Sequence, residues 1–438
     1  MDKQVFDKDR LIPTYFKLSL PVVFGMVVSI VYNLADTYFI GQTQNPLLVA
    51  GVSLCSPLFT ALMALGNIFG QGGNSLIARM LGAGDHASVR RVSSFCFYIA
   101  LLTGAVVAVP LLLFRQSVLT VMSASADTLP HASSYYTILA ASSPVIILNF
   151  IHINLIRSEG MATQSMLASL AGSVLNIILD PIFISVLGMG AAGAAIATVL
   201  GYVLTDAVCL VIVLRKCRFL SVSAREAHVN REETGQILGV GLSAAITNLS
   251  SSVCVILMNQ YLVPYGDAKI AALGIASRAT MIVFLVIVGF AFGGVPLFGY
   301  LAGAGEKEKL RQLLRFCALF LGGLALTGTV IIFLAARPMM GIFIRDEGVI
   351  ADGSLMLRWQ IGGTVFAAVV TLYNCLFQAS GKAWQAMALS LSRQGVLFLL
   401  VLWILTAAAG YQGFLMTQLV ADVLSAGLAI ILYRKTFL

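Results

Sequence analysis

Long apolar runs alternate with short polar breaks over nearly the whole of this chain. Charge-poor windows predict twelve helices, at about 14–41, 47–79, 89–114, 132–157, 164–187, 190–214, 235–263, 270–301, 311–334, 355–378, 384–408 and 411–433. A bilayer core of about 30 Å needs roughly 20 apolar residues per helix, which each window supplies. Backbone N–H and C=O groups find no water there, so a spanning segment must satisfy them internally, as a helix does. The expected fold is an all-α polytopic membrane protein. The opening residues, MDKQVFDKDRLIPTYFK, mix both charge signs and lack a short apolar core with a small-residue cleavage site. They read as a cytoplasmic tail, and the first helix stays as an anchor.

The apolar pattern repeats. Shifted by 221 residues, GQGGNSLIARMLGAGDHASVRRVSSFC (70–96) falls on AFGGVPLFGYLAGAGEKEKLRQLLRFC (291–317). Gly72 and Gly73 meet Gly293 and Gly294, and Gly82-Ala83-Gly84 meets Gly303-Ala304-Gly305. The same shift brings LIRSEGMATQSMLAS (155–169) onto LFQASGKAWQAMALS (376–390), matching Gly160 with Gly381. One offset holding over two distant stretches indicates duplication. Each half carries six spans, an even number, so both point the same way and a pseudo-twofold axis along the membrane normal relates two six-helix bundles. The expected division is an N-lobe (1–213), a cytoplasmic linker (214–234) and a C-lobe (235–438). Two such bundles around a cleft open to one side at a time form an alternating-access transporter. The repeated glycines near the inner ends of spans two and eight suit close helix approach, bending or a loop turn.

Composition agrees: 59% of the 438 residues are hydrophobic and 11% charged, with a mean hydropathy of +0.94, outside the range of soluble domains. An N-terminus inside places 20 of the 27 Lys and Arg in tails and inner loops, five outside (Arg115, Lys269, Arg337, Arg345, Arg358) and two within spans (Arg278, Arg393). Inner loops should hold this excess, so both termini are expected in the cytoplasm. The net charge of +8 then reports topology and attraction to anionic lipid, with no nucleic-acid partner. The seven cysteines show no paired spacing, and free thiols with no cysteine-bound metal are expected.

Candidate chemistry is sparse. Four carboxylates fall inside spans: Asp36, Asp180, Asp206 and Asp422. An acid there costs about 2.5–3.5 kcal/mol at the helix centre on insertion scales and calls for a partner or a job. Asp206 and Asp422 lie near mid-depth without polar neighbours in sequence, so helix packing or a local hydrogen bond is their default reading. Asp180 is better supplied. Asn176 precedes it by four residues, on the same helix face, and Pro181 cannot donate to the Ile177 carbonyl. Asp36 has Tyr32 one turn back and Asn33 beside it, on a helix that Pro21 can bend. The shift of 221 places Val401 opposite Asp180, Leu397 opposite Asn176 and Leu257 opposite Asp36, so the acidic pair belongs to one half only. Two carboxylates in one pocket could share a proton, or hold Na⁺ together with amide and hydroxyl oxygens; the sequence leaves both open.

The order of SLPVVFGMVVSIVYNLADTYFIG (19–41), GQGGNSLIARMLGAGD (70–85), NIILDPIFI (176–184) and GAAGAAIATVLGY (190–202) resembles the MATE family of multidrug and toxin extrusion transporters, in its DinF-like and MepA-like branch. The resemblance covers essentially the whole chain. It implies an N-lobe cation site of Tyr32, Asp36, Asn176, Asp180 and Thr198, joined by Tyr135 or Tyr136. It further implies H⁺- or Na⁺-coupled export of amphipathic, mostly cationic compounds from a bacterial-type inner membrane by a monomer, with lipid as its surroundings and no cofactor beyond the coupling ion. For Na⁺ the ligands would be Asp36, Asn176, Asp180 and Thr198. Spans seven and ten lack the acids of the NorM-type second lobe, and Phe292 stands where MepA-like relatives can carry one.

Asn33, Arg278 and Arg393 are candidate cleft residues. The two arginines also read as snorkelling or helix-pairing side chains. If both face the cleft they favour the alternative, a flippase for lipid-linked oligosaccharides in the same superfamily. A third option is a major-facilitator transporter, since 82–91 faintly resembles that group's inner loop, but the GAG turn repeated at 303–305 opposes it. An enzyme is not expected: His86, His131, His152 and His228 are dispersed, and no triad, His-Glu-x-x-His or phosphate-loop pattern occurs.

Overall fold

The computed structural model describes residues 6–7, 9–122, 124–343 and 346–437; Arg345, expected on the outer side, lies outside them. Among the described residues every regular element is helical. Those long and apolar enough to cross a membrane are Leu11–Gln42, Pro46–Ala83, His86–Leu113, the bent pair Leu129–Ala141 with Ser143–Ser158, Ala162–Val186, Gly190–Arg215, Arg231–Tyr265, Ala268–Gly303, Lys307–Ile342, Glu347–Ala379 and Ala383–Phe437. The last breaks at Gly395 into Ala383–Gln394 and Val396–Phe437, and Gly410, at φ 53° and ψ −128°, divides the latter again and separates two crossings. The twelve predicted crossings are therefore present, and are called spans one to twelve in chain order. Spans nine and ten outrun their apolar windows, and Arg337 near the end of the first pairs at 2.8 Å with Glu347 at the start of the second.

The repeat is visible in backbone detail. Gly84 and Gly305 take φ of 76° and 72°, Gly160 and Gly381 φ of 80° and 71°. These left-handed turns end helices at matching places, and only glycine adopts them without strain. Span four breaks at Ser142, with a 56° bend, and span ten breaks at Gly363, again 221 residues on. The apolar pattern gives no sign of either break, since both flanks are equally greasy.

The chain sorts into two compact units. One is built on Phe24–Gly241 with Gly303–Gly305, the other on Asp7–Val23, Leu242–Ala302 and Glu306–Leu438. Span one changes unit two residues past Pro21, and the first turns of span seven belong to the first unit. In the first unit a Cβ on Gly72 would overlap the Ile237 carbonyl; in the second, a Cβ on Gly293 would overlap the Ser19 backbone. This pair of repeated glycines thus serves close helix approach. The first unit's interior is filled by Leu62, Ile77, Ile147 and Ile151, the second's by Leu262, Ala276, Ile361 and Phe414.

The expected linker packs within the first unit. Its backbone N–H groups at Arg218, Phe219 and Leu220 donate to the carboxylate of Glu159, at 2.6, 3.3 and 3.4 Å. Glu226 accepts from Arg90 at 3.1 Å and from Ser221 at 2.6 Å. Asn230 and Glu233 then cap span seven reciprocally, at 2.7 and 2.8 Å. Glu159→Ala leaves three donors without their acceptor and is expected to cost about 2 kcal/mol. The check is limited trypsinolysis, in which the linker of the variant should be cut sooner than that of the wild type; equal cutting rates refute the pinning role.

Candidate functional site

Two glycines set the site. A Cβ on Gly172 of span five would overlap the Gly201 carbonyl and the Thr205 hydroxyl of span six, and one on Gly201 would come within 2.9 Å of the Gly172 carbonyl. The two backbones therefore touch, and one turn further along Asn176 meets Thr198. Asn176 bridges the helices. In one amide orientation its NH₂ lies 3.4 Å from Asp180 Oδ1 and 3.5 Å from Thr198 Oγ1. In the rotated one it donates to Asp180 Oδ2 at 3.1 Å and its oxygen accepts the Thr198 N–H at 3.0 Å, satisfying both amide atoms. Asp180 and Asn176 are 0% and 1% exposed. After Pro181 the span continues as a wider π-helical turn, Ile182–Val186, as expected where proline withholds a donor.

Span one completes the cluster. Tyr32 lines one cavity with Asn176 and Thr198, and Asp36 lines another with Tyr135 and Thr198. Asp36 Oδ1 is buried and has no partner among the described residues. Asp36, Tyr135 and Asn33 line a cavity of about 250 Å³; a second, of about 230 Å³, runs past Asn176, Tyr202 and Thr205. Tyr32, Asn33 and Thr198 line both.

Most of the residues singled out in sequence are thus brought together: Tyr32, Asn33, Asp36, Asn176, Asp180 and Thr198. Of the two adjacent tyrosines, Tyr135 joins them. Tyr136 is turned away, fully buried, and donates to the Leu111 carbonyl at 3.0 Å. Tyr202, stacked on Phe59 at 6.1 Å, was not anticipated. Its spacing was the available signal, since 198, 202 and 205 fall on one helix face.

The second unit differs. Arg393 donates to Asp422 Oδ1 at 2.8 Å, with Gln418 adding a bond of 3.2 Å, and its guanidinium lies 4.6 Å from the Phe284 ring centre. Nearby, Thr247, Asn374 and Ser390 form a neutral network at 2.7 and 3.1 Å. Arg278 is exposed on span eight. The default readings of Asp206 and Asp422 as hydrogen-bonded packing residues correspond to found partners, but those partners are ionic or titratable: Arg393 for Asp422, His152 for Asp206.

Comparison with known proteins gives the same picture. The family model MatE matches residues 21–182 and again 243–404, once in each half. The Multidrug export protein MepA of Staphylococcus aureus (strain MRSA252) is 29% identical over 421 residues, covering 96% of this chain and 93% of that one. A crystal structure of a MATE in complex with MaL6 superposes with a TM-score of 0.92 at 27% identity, covering 100% and 99% of the two chains. A transporter of the MOP superfamily from Pyrococcus furiosus, described as having a binding pocket of reverse polarity that suggests a different function, gives 0.90 at 28% identity, covering 97% and 95%.

Proposed function

The chain belongs to the MATE family, and from this premise we propose that it is an antiporter in which entry of a cation, H⁺ or Na⁺, drives export of amphipathic, mostly cationic compounds across a bacterial-type inner membrane. The observation that carries this reading is the pair Asp36 and Asp180 in one unit, Asp36 lining one cavity and Asp180 bonded to Asn176 of the other, with Tyr32, Asn33 and Thr198 lining both. Like charges in one low-dielectric site repel, and a shared proton or a bound Na⁺ relieves that repulsion. Asn176 and Thr198 supply the neutral oxygens a Na⁺ would need beyond the two carboxylates.

Relief of repulsion supplies a conformational lever. Asp36 rides on span one, which passes from one unit to the other just beyond Pro21. Drawing Asp36 toward Asp180 pulls on a helix whose hydrogen bonding is already broken by proline. A charge crossing 100 mV releases about 2.3 kcal/mol, enough for roughly a fifty-fold substrate gradient. The linker face is taken as cytoplasmic, from the distribution of Lys and Arg.

The flippase reading depends on free positive charge for a lipid phosphate. Arg393 is matched by Asp422, which leaves Arg278 alone to support it. Purified protein in liposomes, given a pH gradient and a Na⁺ gradient in separate trials, should move a cationic dye under at least one of them. Failure under both, with lipid-linked oligosaccharide still translocated, reverses the order of the two readings.

A further inference from the structure

The first unit holds a second set of titratable side chains that coupling at Asp36 and Asp180 does not use. Asp206 of span six is 8% exposed and His152 of span four 2%. Asp206 Oδ1 lies 3.3 Å from His152 Nδ1 and accepts from Asn149 Nδ2 at 3.4 Å. Asn149 and His152 are three residues apart and share a helix face. Asp206 Oδ2 and His152 Nε2 are also buried, and neither has a partner among the described residues. The Phe97 ring of span three sits 5.3 Å from the imidazole.

The other titratable groups in reach are few. On span six Tyr202 and Cys209 stand about one turn to either side of Asp206. Beyond Cys209 stands Arg157 of span four, bonded to Ser165 at 3.2 Å. Span five turns Gly172 toward this region, against Thr205, and span three turns Phe97; neither titrates.

A purely structural anchor would engage all four polar atoms, because each left bare in a buried site costs about 1–3 kcal/mol. Here two are bare, one on each partner. The pair carries a net charge of −1 without a shared proton and 0 with it, so one H⁺ switches the buried charge as a unit. The pair also has a route outward. Asn149 and Thr205 both line the cavity of about 230 Å³ that reaches Tyr32, Asn176 and Thr198. From Thr198 to Asp206 span six rises about 12 Å, toward the linker end.

We propose that Asp206 and His152 form a second proton-binding site, which exchanges one H⁺ with the cavity on its linker side. The proton adds to the carboxylate or the imidazole with no other bond made or broken, and returns to cavity water on release. Its use in transport rests on the antiport reading, whereas its titration does not. In the Asp36 and Asp180 cluster the coupling cation sits near the far end of spans one and five; the second site gives a proton a station between that cluster and the linker face.

The test uses the full-length chain in lipid nanodiscs, labelled with ¹⁵N-histidine. Four histidines are present, and His152→Gln identifies the signal that disappears. The His152 signal is expected to change with pH, and to change differently in Asp206→Asn. Should Asp206→Asn fail to insert, Asp206→Glu supplies the comparison. Under an imposed pH gradient His152→Gln is expected to slow dye efflux about tenfold, with dye binding unchanged. A His152 fixed in one protonation state throughout, or one whose pH response ignores the Asp206 variants, overturns the site. Wild-type liposomes that move no dye under any cation gradient while His152 titrates would instead remove the antiport reading and leave the proton site standing.

Discussion

Asp180→Asn is expected to abolish cation-driven dye efflux while leaving insertion and thermal stability close to wild type. A cation held about 4 Å from a carboxylate gains about 4 kcal/mol at an effective dielectric constant of about 20, and losing that is roughly a thousandfold in affinity. Asparagine keeps the size of the side chain and still offers an oxygen to Asn176, which bonds Asp180 at 3.1 to 3.4 Å. The fold does not need the charge: the matching position of the other half is Val401, itself buried. The measurement pairs efflux from energised vesicles with a melting profile of the purified variant. Efflux at the wild-type rate would take Asp180 out of the coupling site, and a collapsed melting profile would make its role structural.

Much of this site could be read from the chain because its parts are local or duplicated. Asn176 and Asp180 lie one turn apart, Tyr32 and Asp36 likewise, and the proline after Asp180 marks the kink. The turn glycines Gly84, Gly160, Gly305 and Gly381 announced themselves through the repeat, and their positive φ values give the reason. What escaped is long-range. His152 and Asp206 are separated by 54 residues, Arg393 and Asp422 by 29, and one apolar helix surface gives no sign of which neighbour it faces. The choice between Tyr135 and Tyr136 turned on helix register, which the bend at Ser142 resets. The passage of span one from one unit to the other likewise left no mark beyond Pro21, which many bent helices share.

In the second unit the largest expected effect is on stability. Asp422 and Arg393 have side chains 3% and 14% exposed and meet at 2.8 Å. Breaking a buried pair by removing one partner costs about 3–5 kcal/mol, because the remaining charge keeps its desolvation and loses its compensation. Asp422→Leu alone is therefore expected to melt well below wild type, and Arg393→Met alone likewise. The double replacement removes both charges and is expected to recover most of the loss, since apolar side chains of similar volume can substitute for such a pair at little or no net cost. Melting of all four proteins in one detergent decides this: single variants as stable as the wild type, or a double variant no better than the singles, would refute the pairing as a stabilising unit. The comparison also bears on coupling. Arg393 is a cation fixed in the chain and already matched to the second unit's buried acid, whereas in the first unit Asp180 bonds neutral Asn176, which in turn meets Thr198. A unit that supplies its own cation has no call for one from solution, so the double variant should still export dye at the wild-type ratio of cations to substrate.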